Sequence, residues 1–110
     1  MALATIEEVM EDLREGKVIV LIDDENRENE GDFVVAAEHI SVDLINFFTR
    51  TGGGYLCVAM TGDDCDRLEL GPQVKDNTSV RGTPFTISVD GHPRHGVSTG
   101  ISASDRVKTI

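Results

Sequence analysis

The sequence predicts an α+β fold, a mixed β-sheet with flanking helices, and three observations predict it. Apolar residues recur at helical spacing near the start of the chain, and Ser102 opens another helical segment near its end. Between them lie short β-branched runs, and a Ser-led helical segment separates two of these runs at the spacing of a crossover unit. At 110 residues there is room for one domain.

The first helix is written in its caps. Thr5 and Glu8 form a capping box, Ile6, Val9, Met10 and Leu13 share one face, and Gly16 stands where a helix end favours a left-handed residue. Val18–Ile22 is a continuous apolar run, which predicts a strand buried on both faces. After a polar decad, Phe33–Ala37 predicts a second strand. Ser41 caps a helix running to Phe48, with Val42, Ile45 and Phe48 on one face. Thr51-Gly52-Gly53-Gly54 ends that helix, and Tyr55–Met60 predicts a third strand, parallel to the second through the intervening helix.

Asp63–Leu68 predicts a short helix, and the polar stretch to Arg81 is irregular. In Thr83–Asp90, Phe85, Ile87 and Val89 alternate with polar residues, the pattern of a strand with one wet face. Ser102 opens a last helix, with Asp105 three residues on. No stop signal precedes Ile110, so the expectation is a chain cut within that helix.

Composition narrows the function classes. The net charge of −10, from 20 acidic and 10 basic residues, argues against a nucleic-acid partner. No apolar run reaches the length of a membrane span, and no signal pattern opens the chain. Cys57 and Cys65 make no disulfide framework or Cys-x-x-Cys pair. The expected setting is cytoplasmic, with no membrane. The apolar fraction of 39% lies below the usual globular range of about 45–50%. Part of a core supplied by another chain is one expectation from that figure.

The strongest chemical feature is the decad Asp23-Asp24-Glu25-Asn26-Arg27-Glu28-Asn29-Glu30-Gly31-Asp32. Six carboxylates stand there with one arginine. Like charges so close repel unless a cation or fixed donors compensate. Hard divalent cations such as Mg²⁺ take carboxylate oxygens and keep waters that a substrate can replace. A solvated surface loop is the plain alternative; Arg27, able to fix a carboxylate or hold a phosphate, weighs toward the site. An EF-hand is excluded, since its sixth position would be Asn29 and its flanks are strands.

Gly96-Val97-Ser98-Thr99-Gly100 matches the Gly-x-Ser-x-Gly pattern, but no His follows it, so a hydrolase elbow fails. The turn leads either to an anion-favouring helix N-terminus or to an ordinary capped loop. Cys57 falls in a predicted strand, where an inert buried thiol is the default. His95 beside Arg94 offers an anion contact, and a lone His is more often structural. His92 and Cys65 carry no assigned role.

These segments together resemble the 3,4-dihydroxy-2-butanone 4-phosphate synthases. The run Arg27-Glu28-Asn29-Glu30-Gly31-Asp32 is similar to that family's signature. In the family's order follow Gly54-Tyr55-Leu56-Cys57, Asp76-Asn77, Gly82-Thr83-Pro84-Phe85-Thr86 and the stretch from His95 to Arg106. The resemblance covers nearly every residue from the first helix to Ile110, as the N-terminal part of a single synthase domain.

The resemblance implies conversion of ribulose 5-phosphate to 3,4-dihydroxy-2-butanone 4-phosphate and formate in riboflavin biosynthesis, with Mg²⁺ or Mn²⁺. The implied route runs through an enediol, loss of water, a carbon-skeleton shift and expulsion of C4 as formate. It implies Glu28 as metal ligand, Arg27 and Asp32 on the sugar phosphate, and Glu30 and Asp32 as acid–base groups. Cys57, Thr99 and Asp105 are implied near the substrate, in a homodimer with its sites near the subunit interface. It also implies a His in an Arg-x-Gly-His-Thr segment and a late Glu, neither found in these 110 residues. The isolated chain is therefore expected to be inactive. A non-catalytic domain that binds a sugar phosphate or a partner is the competing reading. Continuation into a GTP cyclohydrolase II domain is a further possibility that the sequence leaves open.

Overall fold

The computed structural model describes residues 2–110. Helix α1 spans Ile6–Arg14 and opens with the expected reciprocal cap: the Glu8 amide donates to Thr5 Oγ1 at 3.2 Å, and the Thr5 amide donates to Glu8 Oε2 at 2.8 Å. Gly16 follows at φ 77°, the left-handed ending that a side chain would strain. His39, in a 3₁₀ turn over Ala37–His39, lies 2.9 Å from the Arg14 carbonyl and ties that turn to the end of α1.

Strands β1 (Ile19–Ile22) and β2 (Gly31–Val34) form an antiparallel hairpin with Ile19 opposite Val34 and Ile22 opposite Gly31. Strand β2 thus begins earlier than Phe33 and ends before Ala37, which turns the acidic decad into a hairpin connection. Helix α2 covers Val42–Phe47 and starts at Ser41, whose Oγ accepts from the Leu44 amide at 3.2 Å. A π-helical turn over Phe48–Gly52 extends it. Helix α3 (Gly62–Arg67) is capped by Thr61, and α4 (Ala103–Thr109) by Ser102.

The packed corner lies where α2 meets α4. Ile45 and Val97 are its fully buried apolar side chains. Phe33 of β2 joins Phe47 and Phe48, with ring centroids 5.1 and 6.1 Å away, and anchors the hairpin to the end of α2.

Elsewhere the surface is open. The accessible area of 8874 Å² exceeds the roughly 6,000 Å² expected for a closed monomer of this mass. The radius of gyration, 15.5 Å, exceeds the expected value of about 13 Å.

The α+β class stands, and three element-level expectations need correction. β1 is not buried on both faces: Val20, Leu21 and Ile22 are each more than half exposed, because one neighbouring strand and no covering layer leave both faces wet. Among the described residues Tyr55–Met60 forms no strand, so no parallel crossover is made. Thr83–Asp90 is reduced to one bridge between Thr86 and Pro72. A strand needs a ladder partner; among the described residues Tyr55–Met60 has none, and Thr83–Asp90 has only the short contact with residues 71–73.

Candidate functional site

The acidic hairpin is ordered from its base. Asp23 stands one residue beyond the β1 ladder, and its amide donates to the Glu30 carbonyl at 3.2 Å. Its carboxylate gathers the loop. Oδ2 accepts from Arg27 Nη1 at 2.8 Å and from the Glu28 amide at 3.1 Å, and Oδ1 accepts from the Glu30 amide at 2.9 Å. The Glu30 amide above all, then the Arg27 guanidinium, holds the Asp23 carboxyl below its usual range. Asp24 makes the tip: its carbonyl accepts from the Arg27 and Asn29 amides, its Oδ1 from the Asn26 amide at 2.7 Å. Asn29 adopts φ 52°, a left-handed position that Asn tolerates better than most residues.

Around this frame the other carboxylates face solvent. Glu28 lies 3.6 Å from Arg27 Nη1, which raises the arginine's already high pKa further after the contribution of Asp23. The side chains of Glu25, Glu30 and Asp32 accept no hydrogen bond among the described residues, so their oxygens are free for a ligand. Arg81 donates to the Arg27 carbonyl and ties the hairpin to the irregular stretch before Thr83.

A second loop, Gly96–Ile101, precedes α4. Asp105 is buried; its Oδ2 accepts from Ser98 Oγ at 2.7 Å and from the Gly100 amide at 3.1 Å. The Ser98 hydroxyl, then the loop amides, pull its carboxyl below the usual range. Gly96 and Gly100 take φ 81° and 84°, and a Cβ on Gly100 would stand 2.2 Å from the Asp90 carboxyl group. The left-handed backbone favours glycine at both positions, and a side chain at Gly100 would also displace the Asp90 carboxyl group. Lys108 Nζ donates to the Gly96 carbonyl at 2.9 Å and closes the loop onto α4.

The structure brings Arg27, Glu28 and Glu30 together through Asp23, and it places Thr99 in the loop held by Asp105. Asp105 itself points inward, with its carboxylate occupied by the loop. Cys57 is exposed, outside any strand. No hydrogen bond or ion pair among the described residues joins the hairpin to Cys57 or Thr99. Asp76-Asn77 and Thr83-Pro84-Phe85-Thr86 line an open depression of about 800 Å³ beside α3, where the Asn77 amide group donates to the Thr83 carbonyl at 2.9 Å. Asp23 and Ser98 were not singled out from sequence. An Asp that ends a strand and enters an irregular loop is the signal that points to the first, since such side chains collect nearby amides.

Among the described residues no three His, Cys, Asp or Glu side chains converge as a metal centre. The donor chemistry of the hairpin still fits a hard cation. Glu28 and Glu30 are exposed carboxylates on neighbouring backbone, and Mg²⁺ typically takes one or two carboxylates and completes its shell with water and substrate.

The family model for 3,4-dihydroxy-2-butanone 4-phosphate synthase matches residues 7–110. The chain belongs to that family.

Among curated relatives, the riboflavin biosynthesis protein RibBA of Aquifex aeolicus is 48% identical over 106 residues, which is 96% of this chain and 26% of the relative. The 3,4-dihydroxy-2-butanone 4-phosphate synthase of Pseudomonas aeruginosa is 48% identical over all 110 residues, 30% of its own length. The chain thus spans about a quarter to a third of these relatives. A crystal structure of a 3,4-dihydroxy-2-butanone 4-phosphate synthase in complex with two magnesium ions superimposes with a TM-score of 0.88 at 37% identity. That match covers 96% of this chain and 48% of the solved one. The two-domain synthase RibBX from A. baumannii gives 0.84 at 40% identity. Among the described residues no helix is long and apolar enough to cross a membrane.

Proposed function

We propose that the protein to which this chain belongs converts D-ribulose 5-phosphate to 3,4-dihydroxy-2-butanone 4-phosphate and formate in riboflavin biosynthesis, as a Mg²⁺- or Mn²⁺-dependent lyase. The observation that carries this reading is the family match across residues 7–110, which spans the whole ordered acidic hairpin. In this reading residues 1–110 form the N-terminal part of a single synthase domain, working in the cytoplasm as a homodimer.

Glu28 would hold the metal, whose chemistry when bound is to polarise vicinal oxygens of the sugar and stabilise charge on them. Arg27 and Asp32 contact the sugar phosphate. Enolisation needs a base for a carbon-bound proton, and loss of water needs an acid for the leaving hydroxyl. The free carboxylates of Glu30 and Asp32 supply both. Asp23 leaves most of the Arg27 guanidinium fork available, since among the described residues only Nη1 is engaged. Thr99 borders the substrate from a loop that Asp105 holds, and Cys57 approaches it from an exposed segment. The product atoms balance, with C4 leaving as formate.

The test is formate release from ribulose 5-phosphate, with Mg²⁺ and with chelator. The isolated chain is expected to release none, because one carboxylate ligand and a few waters hold Mg²⁺ loosely. A chimera that joins these residues to the remaining part of the Pseudomonas aeruginosa synthase is expected to release it in a metal-dependent way. Formate from the isolated chain would overturn the reading of its inactivity. No formate from a folded chimera would favour the second reading, a domain that binds a sugar phosphate or a partner without reacting.

A further inference from the structure

We propose that Asp23 is the positioning residue of the acidic hairpin: its carboxylate sets the backbone from which Glu28 and Glu30 project, and it does so before any metal or substrate binds. This inference rests on the reading of the hairpin as the reacting loop.

Three observations carry it. Asp23 is the least exposed carboxylate among the ion pairs of the chain, at 23% of its side-chain surface, and Arg27 beside it is 50% exposed. Its two oxygens take three donors from three different loop residues, at 2.8, 3.1 and 2.9 Å. Two of those donors are the amides of the glutamates assigned to metal binding and proton transfer. The third is the only cation of the loop. No other carboxylate of the decad takes more than one hydrogen bond.

The physical reason lies in the charge. Six carboxylates and one arginine in ten residues would spread apart unless something gathers them. Asp23 is itself one of the six, but it stands at the base of the hairpin, where Arg27 folds back onto it and two amide dipoles point at it. Among the described residues Glu25, Glu30 and Asp32 are left without a partner and outward, Glu28 keeps only its exposed pair with Arg27, and the backbone that carries them is fixed. A site preorganised in this way spends less ligand affinity on ordering the loop.

The experiment uses the 110-residue chain without metal. Amide exchange at Glu28 and Glu30 is compared in the native chain, Asp23→Ala and Asp23→Asn, with Glu25→Gln as control and Val9 and Ile45 amides as markers of the fold. A Mn²⁺ titration follows on each. The expected result is roughly tenfold faster exchange at Glu28 and Glu30 in Asp23→Ala, with Val9 and Ile45 unchanged, and Mn²⁺ affinity weaker by about tenfold. Asn keeps one acceptor oxygen and loses the pair with Arg27, so it is expected between the two. If Asp23→Ala loses protection throughout the chain, Asp23→Asn decides. Unchanged exchange at both glutamates in Asp23→Asn overturns the proposal. Weaker Mn²⁺ binding with unchanged metal-free exchange overturns it as well, since Asp23 would then be a ligand. None of these readings depends on formate release, so a chimera without turnover leaves this test standing.

Discussion

The acidic hairpin and the Gly96–Ile101 loop are both organised by a single aspartate that collects amides, yet they are built for different ends. Asp23 works at the surface, among five other carboxylates of the decad, and leaves most of them without partners. Asp105 works in the interior, 4% exposed, and its loop is closed further by Lys108 and by two glycines in left-handed geometry. The hairpin accepts repulsion for the sake of free oxygens. The loop spends its polar groups on itself and joins the packed corner of α2 and α4. Substitutions in the hairpin should therefore change activity more than stability, and those in the loop the reverse.

The largest effect is expected for Glu30→Gln in the chimera. On its proposed role as an acid–base group, its loss should lower formate release by about 10²–10⁴-fold, while the urea midpoint stays within error. A matched loss of stability would break the contrast. Next comes Gly100→Ala. A Cβ there sits on a left-handed backbone and displaces the exposed Asp90 carboxyl group, so the cost should be about 1–2 kcal/mol by urea denaturation. A neutral result would show the loop to be looser than its hydrogen bonds imply.

Acid should act on both regions. Asp23 and Asp105 have pKa values lowered in the folded chain, so they favour folding above the ordinary Asp value of about 3.9. That contribution is lost as the pH falls through their folded values. Stability followed by circular dichroism should drop below about pH 4, and Asp105→Asn should flatten the drop more than Asp23→Asn, because the buried partners are the costlier ones to leave. The smallest effect is Ser102→Ala. It removes the oxygen that accepts from the Asp105 amide at 3.0 Å, which should cost about 1 kcal/mol.

Much of the local structure was legible beforehand. Thr5 with Glu8, Ser41 and Ser102 each predicted a helix start that the structure contains, and the Asp63–Leu68 helix lies within one residue of its expected bounds. The family signature around Glu28 was legible as well, and the family match agrees with it. The strands were not. Val18–Ile22 reads as doubly buried, yet Val20, Leu21 and Ile22 face water; Tyr55–Met60 and Thr83–Asp90 carry strand patterns without forming strands. Asp23 is marked only by its place at the end of a strand, while five acidic neighbours share its chemistry and mask which carboxylate turns back into the loop.

The division follows the range of the interactions. A helix bonds each amide to a carbonyl four residues away and is capped by side chains within one turn, so its signals lie side by side in the chain. By itself the sequence determined the four helices, the left-handed ending at Gly16 and the family to which the chain belongs. A strand takes its hydrogen bonds from a neighbour that may lie anywhere in the chain, and the pattern of one strand cannot name its partner. Only the tertiary structure decided that β1 pairs with Gly31–Val34, that the acidic decad becomes a hairpin, and that Asp23 and Asp105 turn inward to hold the loops around them.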